Sequence, residues 1–373
     1  MAATPPRIAR VPHTTKRPER CPYCGGSHVS RKGTRRKKIE IVQLWRCFAC
    51  KRTFTPGPAA LRNKTYPLRM ILSALTDYNT GYSLRDTAAR LQKKTNRNVS
   101  PSTITKWLHE YKQLCTYQRW RARGLARFSP AQTIRSIKLY HRQIYSYAYH
   151  RAKLDFLRRG VLDDKRKDDT RFAPLADFLE RVPTDCPHDL FTREGDTKGR
   201  ASQATATFAD TARAIVNVRT NAATDTAALI IPAIGNNKLR HETLQRFMLA
   251  NDSVTVAVEI PIWLTEKDIA AIESRWGITL APKLPGQERI ITGHIDFVQV
   301  RNGAIHILDY KPDATTNKPF AQLTIYALAL SHLAGIPLFD FKCAWFNEHQ
   351  YCEFFPRTIL RRNALALSET RAA

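Results

Sequence analysis

Glu288 to Lys311 reads ERIITGHIDFVQVRNGAIHILDYK, and Asn302-Gly303 in its middle decides the fold of the C-terminal half. Asn-Gly suits a two-residue hairpin loop, because both central positions of that turn need positive φ. β-branched and aromatic residues flank it on both sides. Glu288 to Val300 and Ala304 to Lys311 are therefore predicted as paired antiparallel strands. Asp296 lies six residues before Asn302, and Asp309 six after Gly303. A near-symmetric register sets the two carboxylates opposite each other. Two carboxylates held together in a mostly apolar sheet repel one another and need a cation. Oxygen ligands with open water positions suit Mg²⁺ or Mn²⁺. Lys311, two residues past Asp309, projects from the same face of its strand. There it can orient a water or stabilise developing negative charge.

Working outward, Val254 to Trp263 is predicted as a strand with Glu259 inside it. A helix with Gln322 and Tyr326 follows the hairpin, then strands over Leu338 to Trp345 and His349 to Phe355. The order Glu259, Gly293-x-x-Asp296, Asp309-x-Lys311, Gln322-x-x-x-Tyr326 resembles the RecB-type branch of the PD-(D/E)xK nucleases, over roughly residues 236–355. The resemblance implies a restriction-endonuclease-like α/β core. It implies that Asp296 and Asp309 bind the metal, that Lys311 is catalytic, and that Gln322 and Tyr326 support the site and contact DNA. Glu259 matches a strand acid near the site, although it also reads as an ordinary half-exposed strand residue. A helical histidine completes the metal shell in many such proteins, and His241 is the candidate. It shares a helix face with Leu244 and Met248, so it reads equally well as a core histidine. Some relatives hold an iron–sulfur cluster through one cysteine before the nuclease and three after. Here Cys186 precedes it and only Cys343 and Cys352 follow, so these are read as buried thiols.

Upstream, Cys21-Pro22-Tyr23-Cys24 and Cys47-Phe48-Ala49-Cys50 are two C-x-x-C knuckles. Two residues between thiols let one tight turn aim both sulfurs at one ion, and two such turns complete a tetrahedral site. Four thiolates leave no open position, so the expected Zn²⁺ is structural. Gly25 and Gly26 follow the first knuckle, where a Cβ would be in the way. Lys38 to Trp45 is predicted as a strand with Ile39, Ile41 and Leu44 inward. This ribbon resembles the one at the front of many insertion-sequence transposases.

Three helices are predicted next. Pro67 to Tyr78 carries Leu68, Ile71, Leu72 and Leu75 on one side. Ser83 caps Leu84 to Lys93, which buries Leu84, Ala88 and Leu91. Ser100 caps a third, with Pro101 at its first position and Ile104, Trp107, Leu108 and Tyr111 inward. Ser102, Thr103, Thr105 and Lys106 are left on the exposed side, where a recognition helix meets DNA. The order of ribbon and helices, about residues 21–115, resembles the transposase helix-turn-helix arrangement. A plain three-helix bundle is the alternative. The three-carboxylate core of such transposases does not follow.

The expected fold class is multidomain: a zinc ribbon and an all-α helix-turn-helix at the N-terminus, then an α/β nuclease core. The expected boundaries are a disordered basic arm at 1–20, ribbon at 21–57, helix-turn-helix at 66–115, helical connector at 120–208 and nuclease at 209–360. Within the connector, Gln132 to Arg159 mixes Arg, Lys and Tyr. It reads either as a nucleic-acid track or as a connector whose tyrosines pack a core. Thr192 to Ala206 reads as a linker.

The formal net charge is +28, and Met1 to Arg69 holds 17 Lys or Arg against 2 Asp or Glu. Such concentration points to a polyanionic partner, DNA. No apolar region follows the basic N-terminus, and no stretch is long and apolar enough to span a bilayer. Together these features predict a cytoplasmic, DNA-associated, metal-dependent deoxyribonuclease tied to a mobile element, recombination or genome defence. One alternative is a DNA-binding regulator or transposition accessory subunit with a silent nuclease fold; another is one subunit of a transposition machine, cutting one strand while a separate transposase or integrase subunit joins the other.

Overall fold

The computed structural model describes residues 17–36, 41–55, 65–161, 169–192, 201, 214–231, 234, 237–280, 288–316 and 318–360. Most of the expected basic arm, most of the Thr192 to Ala206 linker, and Ile39 lie outside these residues. The chain divides into two compact units. One comprises 1–78, 82–113 and 226–244; the other comprises 79–81, 114–225 and 245–373.

The first unit opens with strands β1 (Val29–Arg36), β2 (Ile41–Cys47) and β3 (Thr53–Phe54), an antiparallel sheet in that order. Its small core is Val29, Trp45 and Phe54 packed with Cys21 and Cys47. Trp45 is the inward residue of β2, whereas Ile41 and Leu44, expected inward, are only half-buried. A sheet this small buries few side chains, and the large indole takes the place packed with Cys21 and Cys47.

Helices α1 (Leu68–Asn79), α2 (Leu84–Thr95) and α3 (Pro101–Glu110) follow. Ser83 accepts from the Asp86 amide and Ser100 from the Thr103 amide, so both expected caps form. The first turn of α3 starts on Pro101, whose missing N–H costs nothing there. Ile104, Trp107, Leu108 and Tyr111 are buried. On α2 the buried residues are Thr87 and Leu91, while Leu84 and Ala88 are half-buried.

The second unit is built on an eight-stranded sheet. Its chain order is α4 (Gln118–Leu125), β4 (Ile134–His141), β5 (Gln143–His150), α5 (Arg151–Arg158), α6 (Ala173–Asp185) and β6 (Asn217–Arg219). Helices α7 (Ala222–Ile230) and α8 (Asn237–Asn251), whose residues 226–244 count with the first unit, then lead to β7 (Thr255–Leu264) and α9 (Glu266–Trp276). Next come β8 (Ile291–Arg301), β9 (Ala304–Tyr310), α10 (Phe320–Ala334), β10 (Phe341–Phe346) and β11 (Tyr351–Phe354). The strand order is β4-β5-β7-β8-β9-β10-β11-β6. Asn302 and Gly303 have φ of 52° and 67°, as the Asn-Gly loop requires. Strands β9 and β10 are parallel, and α10 supplies the crossover that parallel strands need. It packs against β7, β9 and β10. Every residue of β9 is buried, the mark of a central strand covered on both faces.

The helical connector expected over 120–208 is corrected in its centre. Residues 134–150 form the β4–β5 hairpin, and β5 joins β7 through Ala148↔Val258. At the end of β4 the period is two: Leu139 and His141 are buried, while Lys138 and Tyr140 are exposed. Tyr147 and Tyr149 belong to the core and Tyr140 does not. Arg135 and Ser136, both exposed, break the alternation at the start of β4, and aromatic residues favour the strand. The sheet therefore begins well before residue 209.

Candidate active site

Three adjacent strands carry one acid each. In β7 and β8 the pairs Val258↔Phe297 and Ile260↔Ile295 flank Glu259 and set it across from Asp296. In β8 and β9 the ladder runs to Phe297↔Leu308, and Asp296 and Asp309 come next on the two strands. The Tyr310 amide donates to Asp296 Oδ2 at 3.1 Å. The paired carboxylates expected from the hairpin's symmetry are thus brought together.

Asp309 is buried, with Asp296 and Glu259 half-buried. Burial first, and then the Asp296 charge, push the Asp309 carboxyl well above its usual range. Lys311 Nζ lies 3.0 Å from Asp309 Oδ2. Burial alone would lower the lysine's pKa, but the Asp309 carboxylate beside it raises it. Asp309 Oδ2 is shielded from solvent and accepts no well-directed hydrogen bond, although that ammonium is near. A hard divalent cation fits such a set: two adjacent carboxylates, one with an oxygen left over.

Glu259 has φ of +53° inside a strand, a conformation that costs a non-glycine residue on the order of 1 kcal/mol or more. Gln245 on α8, buried, donates to Glu259 Oε1 at 2.6 Å. Sequence reading missed Gln245. The signal was its place on α8 one turn after His241, since residues i and i+4 share a helix face. His241 is half-buried, and Leu244 and Met248 of the same helix are buried.

Tyr326 is buried beside Gly293, and Gln322 Nε2 donates to its hydroxyl at 3.0 Å. The tyrosine therefore braces β8 from behind; with 5% of its surface exposed, it is not placed to reach DNA as the resemblance implied. Gln322 is half-buried.

A second polar cluster was not foreseen. His141 Nδ1 lies 2.9 Å from His294 Nε2, and His141 Nε2 lies 2.8 Å from His188 Nδ1. Ligand atoms of His141, Cys186 and His188 all fall within 4.8 Å of one another. Burial and the neighbouring His188 lower His141 to about 4, which keeps its imidazole neutral. Burial pushes the Cys186 thiol up to about 12. Cys343 and Cys352 are buried thiols that join no metal-ligand group among the described residues.

In the ribbon, Cys21 Sγ is 3.6 Å from Cys50 Sγ, and Cys24 Sγ is 3.6 Å from Cys47 Sγ. A tetrahedron with Zn–S of about 2.3 Å has edges of about 3.8 Å, so the four sulfurs can hold one ion. Gly25 takes φ of +73°, and a Cβ on Gly26 would sit 3.3 Å from Ala49 Cβ and 3.5 Å from Cys24 Sγ. On α3, Ser102, Thr105 and Lys106 are exposed and Thr103 half-exposed. The Ser102 and Thr103 hydroxyls lie 2.9 Å from Ser100 Oγ, inside the helix cap.

Residues 179–349 match the PD-(D/E)XK nuclease superfamily. No curated protein and no solved structure gives a significant match to the chain. Among the described residues no helix is long and apolar enough to cross a membrane.

Proposed function

We propose that the chain is a divalent-metal-dependent DNA nuclease, a reading supported by the match of residues 179–349 to the PD-(D/E)XK nuclease superfamily. The observation that carries this reading is the buried Asp309 beside Asp296, with the Lys311 ammonium at 3.0 Å. Asp296 and Asp309 would hold Mg²⁺ or Mn²⁺. Glu259 enters the shell from β7, its side chain aimed by Gln245, and His241, one turn earlier on α8, is the further candidate. A divalent cation held by these residues would supply a water of lowered pKa and offset charge on the phosphate. Lys311 orients the attacking water and stabilises charge gathering on the phosphoryl oxygens. Water oxygen bonds to phosphorus as the P–O3′ bond breaks, and the 3′ oxygen leaves with a proton.

DNA is held partly by the N-terminal unit. In support, basic residues concentrate around the ribbon, and Lys106 is exposed on α3. The four-cysteine cluster takes one structural Zn²⁺. The transposase-like order of ribbon and helices supports an origin in a mobile element. A cleavage assay on end-labelled single- and double-stranded DNA with Mg²⁺ or Mn²⁺ tests the reading. The wild type cuts, and Asp309→Ala does not. Equal cutting by both would sink the assignment, and cutting by neither would leave a DNA-binding protein with a silent nuclease fold.

A further inference from the structure

We propose that His141, Cys186 and His188 form a second transition-metal site, separate from the four-cysteine ribbon and from the carboxylate pair, with Zn²⁺ as the fitting ion. The donors are two imidazoles and a thiol, which select zinc over magnesium. Their ligand atoms lie within 4.8 Å of one another. They come from two places: His141 from the end of β4, beside the turn at Arg142, and Cys186 and His188 from the segment after α6. A tetrahedral site with Zn–N of about 2.0–2.1 Å has N–N edges of about 3.3 Å. The His141 and His188 nitrogens are 2.8 Å apart, so the rings part by about half an ångström to admit the ion.

The surroundings are built for this. A neutral imidazole has one N–H and one lone pair. If His141 Nδ1 donates to His294 Nε2 at 2.9 Å, the Nε2 lone pair faces His188 Nδ1, and the Cys186 donor lies within 4.8 Å. A metal-bound histidine whose other nitrogen donates to a neighbour has its ring plane and tautomer fixed. Phe191 stacks on His141 at 3.9 Å between centroids, and Tyr145 stacks on His294 at 3.5 Å. Cys186 and His141 are buried while His188 is exposed, which gives the ion a way in from solvent. A bound cation takes the place of the thiol proton that burial otherwise retains. The site ties the β4–β5 hairpin to the end of α6. Through His294, two residues before Asp296, it also holds the strand that carries the candidate metal ligand.

Zinc content of the full-length protein, purified with zinc and dialysed against excess Mg²⁺, is the test. The wild type holds two zinc ions per chain, and His188→Ala, at an exposed position that the fold tolerates, holds one. Cys186→Ser lowers the thiolate-to-cobalt absorbance of the Co²⁺-loaded protein from that of five thiolates to that of four. Cys47→Ser serves as the control that removes the other ion. A wild type with one zinc, lost only in Cys47→Ser, overturns the proposal and leaves a chain of hydrogen-bonded imidazoles. A zinc count unchanged in both His188→Ala and Cys186→Ser overturns it equally.

Discussion

Gly293 lies against the ring of Tyr326 so closely that a Cβ on the glycine would come within 2.6 Å of Cε1. The Gly-x-x-Asp spacing thus has a steric cause: β8 can lean on the α10 tyrosine only where it has no side chain. Gly293→Ala should cost about 1–3 kcal/mol by overpacking and displace Asp296 three residues on, lowering cleavage more than DNA affinity. Tyr326→Leu in the same chain should restore part of the stability. Denaturant midpoints of the two single variants and the double variant check this, and full additivity would refute the contact.

Asp309 carries a raised pKa in the folded chain. Without metal, its contribution to stability is fully present below its unfolded value and is lost as pH rises through the folded value. Asp309→Asn removes the repulsion with Asp296. The metal-free variant should melt higher than the metal-free wild type at neutral pH, yet cut nothing. Mg²⁺ or Mn²⁺ at a hundred times its dissociation constant should stabilise the wild type by about 2.7 kcal/mol and leave Asp309→Asn unmoved. Melting curves with and without metal decide it.

Glu259 sits at φ of +53°, where glycine is at ease and alanine is not. Glu259→Gly should therefore be more stable than Glu259→Ala by about 1 kcal/mol, the reverse of the usual order in a strand. Both should cleave poorly, since the carboxylate that Gln245 orients is gone. Chemical denaturation of the pair measures the strain directly.

The placing of Asp296, Asp309 and Lys311 was legible because the hairpin fixes it. Asn302-Gly303 sets the register, the register sets Asp296 beside Asp309, and a step of two residues sets Lys311. Other parts were hidden for physical reasons. The β4–β5 hairpin shows its alternation only at the end of β4, on Leu139 and His141. Gln245 has meaning only once α8 lies over the sheet. His141, Cys186 and His188 meet through folding, and only Cys186-Pro187-His188 is a local hint. The DNA role given to Tyr326 failed because a motif position does not state exposure.

Glu353 on β11 is buried among Arg219, Lys342 and His306, each at 3.3 Å, with Arg301 at 3.6 Å. Burial alone would raise its pKa, but His306, Lys342 and Arg301 hold it at about 2 against an ordinary 4.5. Its stabilisation is present above the unfolded value and lost as pH falls from about 4.5 towards 2. Glu353→Gln should cost about 3 kcal/mol at neutral pH, and the gap from wild type should close across that acid window. Unfolding free energies measured at several pH values test the sign.

Holding and cutting should separate by point substitution rather than by truncation. A cut after residue 115 would remove Asn79, whose Nδ2 donates to Asn251 Oδ1 at 2.6 Å, and Cys115, 3.7 Å from the same oxygen. The second unit would then lose buried partners of its own. Lys106 on α3 and Arg35 on β1 are exposed and can be replaced without touching a core. If each contacts a phosphate, Lys106→Ala and Arg35→Ala should each flatten the log–log salt dependence of duplex binding by about 0.9. Cleavage at saturating DNA should stay at the wild-type rate. Lys311→Ala should show the opposite pattern, with affinity and salt slope kept and cleavage lost. Salt titrations paired with single-turnover cleavage read both. An unchanged slope in Lys106→Ala and Arg35→Ala would move DNA binding away from the N-terminal unit and leave its ribbon to protein contacts.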